Sequence, residues 1–214
     1  IDSGIATGHP FLQPAIGDAQ SFPPSLGTEL DEHNHGTMVS GLALYGDVNA
    51  CIENLNFSPK MFLYSGKVTN AQNRFDDENL IINQMQTTIR YFFDNYHCRV
   101  YNISLADPDL IYSNGKPSLW ASTLDTIARE LDIIIVVSTG NIILPRDRAE
   151  ETHTRYPRYL LDSSSRLLEP STAVNVITVG SICGSDHSFH AGRQPEDLIL
   201  PIGRYNYPSP FTRS

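Results

Sequence analysis

The sequence predicts an α/β domain on a mainly parallel sheet, and three observations carry that expectation. Short β-branched runs, above all residues 133–137, alternate with stretches whose apolar residues recur every three or four positions. The runs are separated by enough chain for helical crossovers, which join parallel neighbours with right-handed connections. The 214 residues, 40% hydrophobic and 18% charged, suffice for one core, so a single domain over 1–214 is expected.

Taken in order, His35–Tyr45 has helical spacing, with Val39, Leu42 and Ala43 on one face. Residues 60–68, carrying Met61, Phe62 and Leu63, form a strand candidate. Asp76, Asp77 and Glu78 supply negative charge to the first turn of a second helix, where the helix dipole favours it. Its core stripe is Ile82, Met85, Ile89, Phe92 and Phe93. Residues 99–105 make the next strand. Ser118 is placed to cap a third helix whose inner face is Trp120, Leu124, Ile127, Ala128 and Leu131. The run 133–138 reads as a strand buried on both faces, and 174–179 as another. Residues 143–172 lack periodicity and contain Pro145, Pro157 and Pro170, so a long surface excursion is expected there.

Composition excludes several functions. Fifteen Lys+Arg against 24 Asp+Glu give a net charge of −9, unsuited to a nucleic-acid backbone. No apolar run approaches the ~20 residues of a membrane helix. Three scattered cysteines, with no CxxC pair, argue against a disulfide framework or a zinc knuckle. No glycine-rich phosphate loop follows a strand, which argues against a small-molecule binding α/β domain.

Three short motifs lie at predicted strand ends, where open α/β sheets place their active sites. Asp2-Ser3-Gly4 sets a carboxylate in a tight turn. His33-Asn34-His35-Gly36-Thr37 opens a helix with an imidazole in its first turn; an Asp on one ring nitrogen would orient it as a general base. The i, i+2 spacing of the two histidines differs from the i, i+4 spacing of helical metal ligands, so no metal is assigned. Ser138-Thr139-Gly140-Asn141 follows a strand and offers an amide donor to a developing oxyanion. Each motif alone is also ordinary turn or cap chemistry; their order and placement give them weight.

In that order the motifs resemble those of subtilisin-like serine proteases: Asp2-Ser3-Gly4, then His35-Gly36-Thr37-Met38-Val39-Ser40-Gly41, then Gly140-Asn141. The resemblance implies a three-layer architecture with helices on both faces of the sheet. It implies Asp2 and His35 as triad members, Asn141 as oxyanion donor, and no cofactor. Ser104, Leu105 and Ala106 would bind a polypeptide substrate, with Ser138, Thr139 and Gly140 walling the pocket for the residue before the cut. An inhibitory propeptide or a neighbouring domain is an implied partner. The family typically acts outside the cytoplasm, although the sequence assigns no compartment.

The family's Gly-Thr-Ser nucleophile string is absent, and both ends stop inside motifs. The chain therefore reads as an excerpt, incomplete at both ends, whose nucleophile is expected downstream of Ser214. As such it is expected to be inactive by itself. The alternative is an inactive peptide-binding relative. Ile1 alone, as the stub of a strand, is not expected to fix Asp2. Ala106 stands where the family usually has Gly, and Ile142 follows Asn141 where a polar residue is usual.

Overall fold

Two strand pairs run parallel, which requires long crossovers and not tight turns, and a short antiparallel pair (Phe189–His190 with Leu198–Ile199) stands apart. In a computed structural model, which describes residues 1–75, 80–113, 115–143, 154–190 and 198–214, β1 (Ile16–Ser21) pairs in parallel with β2 (Leu63–Lys67). Between them run α1 (His35–Tyr45) and α2 (Val48–Glu53). Helix α3 (Ile81–Tyr96) leads to β3 (Val100–Ile103), and α4 (Leu119–Leu131) to β4 (Ile134–Ser138). Strand β5 (Ile177–Val179) pairs in parallel with β4, Val136 opposite Ile177 and Ser138 opposite Val179.

The chain divides into two compact units, Ile1–Leu105 with Thr126–Ile135, and Ala106–Asp125 with Val136–Ser214. In the first, Ile5, Leu12, Ala15, Leu44 and Tyr45 form a buried cluster. A second buried group gathers on α3, where Met85, Ile89 and Phe92 are almost fully enclosed. Phe92 meets Phe22 and Tyr91 edge to face, a preferred aromatic geometry. In the second unit, Tyr156, Tyr159 and Leu160 pack with Ile142 and Ile202.

Most elements lie where their patterns put them, and the departures have physical causes. Helix α1 has the bounds that its sequence indicated, but its buried side is Gly36, Leu44 and Tyr45. Leu42 and Ala43 are exposed, and Val39 is half-buried. Val39 and Ala43 instead line an apolar groove of about 530 Å³ in the first unit, shared with Ile1, Met61, Tyr64 and Val100. Spacing identified a face but not what stands opposite it.

Strand β4 is covered on one side only. Ile135 and Val137 are buried, while Ile134 is 50% exposed. A β-branched run reports strand propensity, and burial on the second face depends on neighbours that the run does not encode. Ser118 does cap α4, its hydroxyl accepting from Ala121 N at 3.0 Å. Residues 76–78, with their helix-starting charges, lie outside the described residues, as do 144–153. The described remainder of the expected excursion contributes buried side chains: Tyr156, Tyr159, Leu160 and Leu168. No described helix is long and apolar enough to cross a membrane.

Candidate functional site

Asp2 is fixed by backbone bonds on both sides, contrary to the expectation for a chain end. Ile1 N donates to Asn102 O at 2.8 Å beside β3. Asp2 N donates to Gly66 O, and Val68 N to Asp2 O, each at 3.0 Å, beside β2. Ile1 and Asp2 are thus held like a strand by pairing on both sides. The Asp2 side chain is 8% exposed and projects to the start of α1.

There His35 Nδ1 lies 2.6 Å from Asp2 Oδ1. A carboxylate accepts, so Nδ1 carries the hydrogen of the neutral ring and Nε2 is left as the basic nitrogen. The same Oδ1 accepts from Ser3 N at 2.7 Å. Asp2 Oδ2 is buried and has no partner among the described residues. The His35 side chain is 41% exposed, so the ring is anchored at one nitrogen and open at the other. Its pKa is raised above 6.5, first by the hydrogen bond to Asp2, against partial burial, with the charges of Asp2 and Asp31 adding to the rise.

A second carboxylate organises this corner. Asp31 Oδ1 accepts from Ser3 Oγ at 2.9 Å and His33 N at 3.0 Å, and Asp31 Oδ2 accepts from Thr37 N at 2.7 Å. Ser3 Oγ in turn accepts from Gly36 N at 3.1 Å. The Gly36 and Thr37 amides of the first turn of α1 are therefore satisfied from Ser3 and Asp31. Asn34, at the N-cap, has a left-handed backbone (φ 63°) and makes no side-chain capping bond, while its carbonyl accepts from Met38 N. Despite partial burial, these hydrogen bonds hold the Asp31 pKa below 3.8.

Gly36 serves this approach more than it clears space at the imidazole. A Cβ there would collide with Gly4 O and lie 3.1 Å from Asp2 Cβ. Gly4 has φ 113°, and a Cβ on it would meet Glu29 O at 2.5 Å. Beneath the 29–32 loop, the buried Lys67 ammonium donates to Leu30 O and to Glu32 Oε2, each at 2.9 Å. His33 Nε2 lies 3.1 Å from Ala71 O, which occupies that ring nitrogen.

The other expected site residues are placed as follows. Ser104 and Leu105 follow β3 in the first unit, half-buried; Ser104 Oγ accepts from Asn102 Nδ2 at 2.8 Å. Ala106 and Ser138 to Asn141 belong to the second unit. Thr139 N donates to Val179 O at 3.1 Å, and Thr139 is buried. Gly140 has φ 87°, which turns the chain directly after β4. Asn141 is exposed. Its backbone is fixed: it bridges Thr212, and its carbonyl accepts from Arg213 Nε at 2.9 Å. Arg213 also donates through Nη1 to Ser164 O and Arg166 O.

Sequence reasoning brought forward Asp2, His35 and Asn141 but missed Asp31, Lys67 and Arg213. Asp31 stood four residues before His35, a position from which a short carboxylate can reach helix-start amides. Lys67 in an apolar strand was the second available signal. Arg213 had none, since its partners come from two separate stretches of the chain, around 141 and 164–166.

The model of the Subtilase family (Peptidase S8) matches residues 1–208. An uncharacterized protein y4bN of Sinorhizobium fredii (strain NBRC 101917 / NGR234) is 45% identical over 132 residues, covering 61% of this chain and 30% of its own length. Among solved structures, Sphericase superposes with a TM-score of 0.55 at 19% identity, over 98% of this chain and 57% of Sphericase. A psychrophilic subtilisin-like protease, Apa1, from the Antarctic psychrotroph Pseudoalteromonas sp. AS-11 gives 0.53 at 17%, over 85% of this chain and 35% of the protease. At such identities these structures establish a shared fold. The chain spans less than a third of the curated relative and little more than half of Sphericase.

Proposed function

This chain belongs to the subtilase family, and from that premise we propose that it supplies the acid–base part of a serine endopeptidase. The observation that carries the reading is the 2.6 Å contact between a buried carboxylate and the Nδ1 of a half-exposed histidine.

In this reading Asp2 holds His35 in one tautomer and stabilises the imidazolium. His35 Nε2 removes the proton of a serine hydroxyl that lies downstream of Ser214 in the intact protein. The serine oxygen attacks the peptide carbonyl, and His35 returns the proton to the departing amine, leaving an acyl-enzyme. Water then attacks by the same proton route. Asn141 donates its side-chain amide to the oxyanion, a role suited to an exposed side chain on a backbone fixed by Arg213. Ser104, Leu105 and Ala106 take an extended polypeptide as an added strand, and Ser138, Thr139 and Gly140 wall the pocket for the residue before the cut. The reaction needs no cofactor, and the partners are the polypeptide substrate and an inhibitory propeptide or adjoining domain.

Labelling of the intact protein with a fluorophosphonate tests the reading. Covalent labelling that His35→Ala abolishes is expected. A folded, processed protein that takes up no probe refutes the hydrolase and leaves an inactive peptide-binding relative.

A further inference from the structure

We propose that Arg213 is the positioning residue for Asn141: its guanidinium fixes the peptide plane beside the amide side chain and thereby sets kcat. The inference rests on the peptidase reading above, in which Asn141 meets the oxyanion, and goes beyond it by assigning Arg213 a part in the reaction. Every residue involved belongs to the second unit.

The turn that carries Asn141 is held on both sides. Before it, Thr139 N donates to Val179 O at 3.1 Å, and the buried Thr139 hydroxyl lies 3.3 Å from that of Thr212. Thr212 Oγ1 in turn accepts from Ser181 N at 3.1 Å. After it, a single peptide plane, the one joining Asn141 to Ile142, is held at both ends. Its N–H, on Ile142, donates to Phe211 O at 2.7 Å, and its carbonyl, on Asn141, accepts from Arg213 Nε at 2.9 Å. Rotating this rigid plane changes ψ of Asn141 and re-aims the side chain, so the two bonds together set where the amide starts.

The guanidinium is itself anchored. Nη1 donates to Ser164 O at 2.8 Å and to Arg166 O at 2.9 Å. The carbonyl between them, Ser165 O, accepts from Ser214 N at 3.1 Å, so three successive carbonyls turn toward residues 213 and 214. Ser165 is buried and its hydroxyl donates to Tyr159 O at 2.7 Å, which fixes this stretch against the tyrosine cluster. Arg213 therefore spans two stretches of chain with one planar fork. Among the described residues no carboxylate pairs with it, so its contribution lies in these three carbonyl bonds. A lysine, with a compact ammonium on a flexible stem, cannot serve Asn141 O and the 164–166 carbonyls in the same geometry.

The test is steady-state kinetics of the intact protein on a peptide p-nitroanilide that the parent cleaves. Arg213→Met keeps an apolar stem and removes every donor. It should lower kcat by about 10- to 100-fold, the scale of a displacement of about 1 Å, and leave KM within about twofold. Arg213→Lys should recover part of that loss. The decisive arm is a cycle with Asn141→Ala. In that background Arg213→Met should change kcat by less than about twofold, because the side chain that Arg213 aims is gone. An undiminished loss in the Asn141→Ala background overturns the inference, as does a folded Arg213→Met protein with the parent kcat or with its whole loss in KM. If the Met variant does not fold, Arg213→Lys carries the same cycle. These outcomes are read on a parent that labels with fluorophosphonate, so the peptidase reading survives them. A folded, processed parent that takes no probe defeats that reading and this inference with it.

Discussion

The Asp2–His35 corner and the Gly140–Asn141 strip are both turns after strands, yet they are held by different means. In the corner, side chains hold one another: Ser3, Asp31 and Thr37 join the Asp2 turn to α1 through a closed set of bonds around Gly4 and Gly36. In the strip, the main chain is held and the Asn141 side chain is left exposed. In the role proposed for it, His35 would have to keep one orientation through the proton transfers, and over-determined surroundings suit that role. An amide donor needs only a fixed origin and freedom to meet charge as it develops. Substitutions in the corner should therefore couple activity to stability, while those in the strip should separate them.

The largest expected effect is that of Asp2→Asn. The side-chain shape survives, but the amide can present a donor to Nδ1 and reverse the tautomer. A loss of about 10⁴-fold in kcat is expected, the size of effect that the same substitution has in other serine-protease triads. Asn141→Ala should lower kcat by about 10²–10³-fold, again the size known for this family's oxyanion donor, with KM nearly unchanged. Its Tm should stay at the parent value because the side chain is exposed. A fall in Tm for Asn141→Ala comparable with that of a corner variant would erase the contrast between the two regions.

Asp31→Asn probes the coupling inside the corner. Asparagine puts two N–H groups where only acceptors are wanted, facing the Ser3 hydroxyl or the Thr37 amide, so about 1–3 kcal/mol of stability should be lost. Because the folded pKa of Asp31 is depressed, its contribution is present above pH 3.8 and fades as pH falls through the folded pKa. Parent and variant stabilities should therefore converge in acid. The variant also removes a negative charge that raises the His35 pKa. General-base activity requires neutral His35, so the acid limb of kcat/KM should lie above pH 6.5 in the parent and move to lower pH in Asp31→Asn. A limb that stays in place while Tm falls would reduce Asp31 to a structural cap.

The sequence made the corner's chemistry legible but not its support. Asp2 and His35 were recoverable because their motifs pair a reactive side chain with a nearby glycine. Asp31 was hidden because its role depends on Ser3, 28 positions away, whose hydroxyl bridges it to Gly36 N. The bounds of α1 followed from local spacing, whereas its buried side, Leu44 and Tyr45, is set by Ile5, Leu12 and Ala15 from an earlier loop. The same limit explains β4, whose composition fixes a strand but not a second covered face. At the strip, the turn was legible in Gly140-Asn141; Leu168, whose side chain packs against Gly140, arrives from an aperiodic stretch that carries no pattern signal.

The smallest effect on stability, and the finest test of over-determination, should come from Lys67→Met. The substitution removes a buried ammonium and with it the desolvation burden of that charge, which offsets the loss of its bonds to Leu30 O and Glu32. Glu32 is itself 45% exposed and can turn to water, so the net change in stability should stay within about 1 kcal/mol. Its consequence should be local. Without the ammonium beneath it, the 29–32 loop loses the tether that keeps Asp31 against α1, and the Thr37 and His33 amides that Asp31 accepts from should exchange with solvent faster. Amide hydrogen exchange at these two positions, compared with β2 amides such as Gly66, measures it. Faster exchange at 33 and 37 alone would show that the corner's rigidity reaches one layer below the carboxylates; unchanged exchange would confine it to Ser3, Asp31 and the helix start.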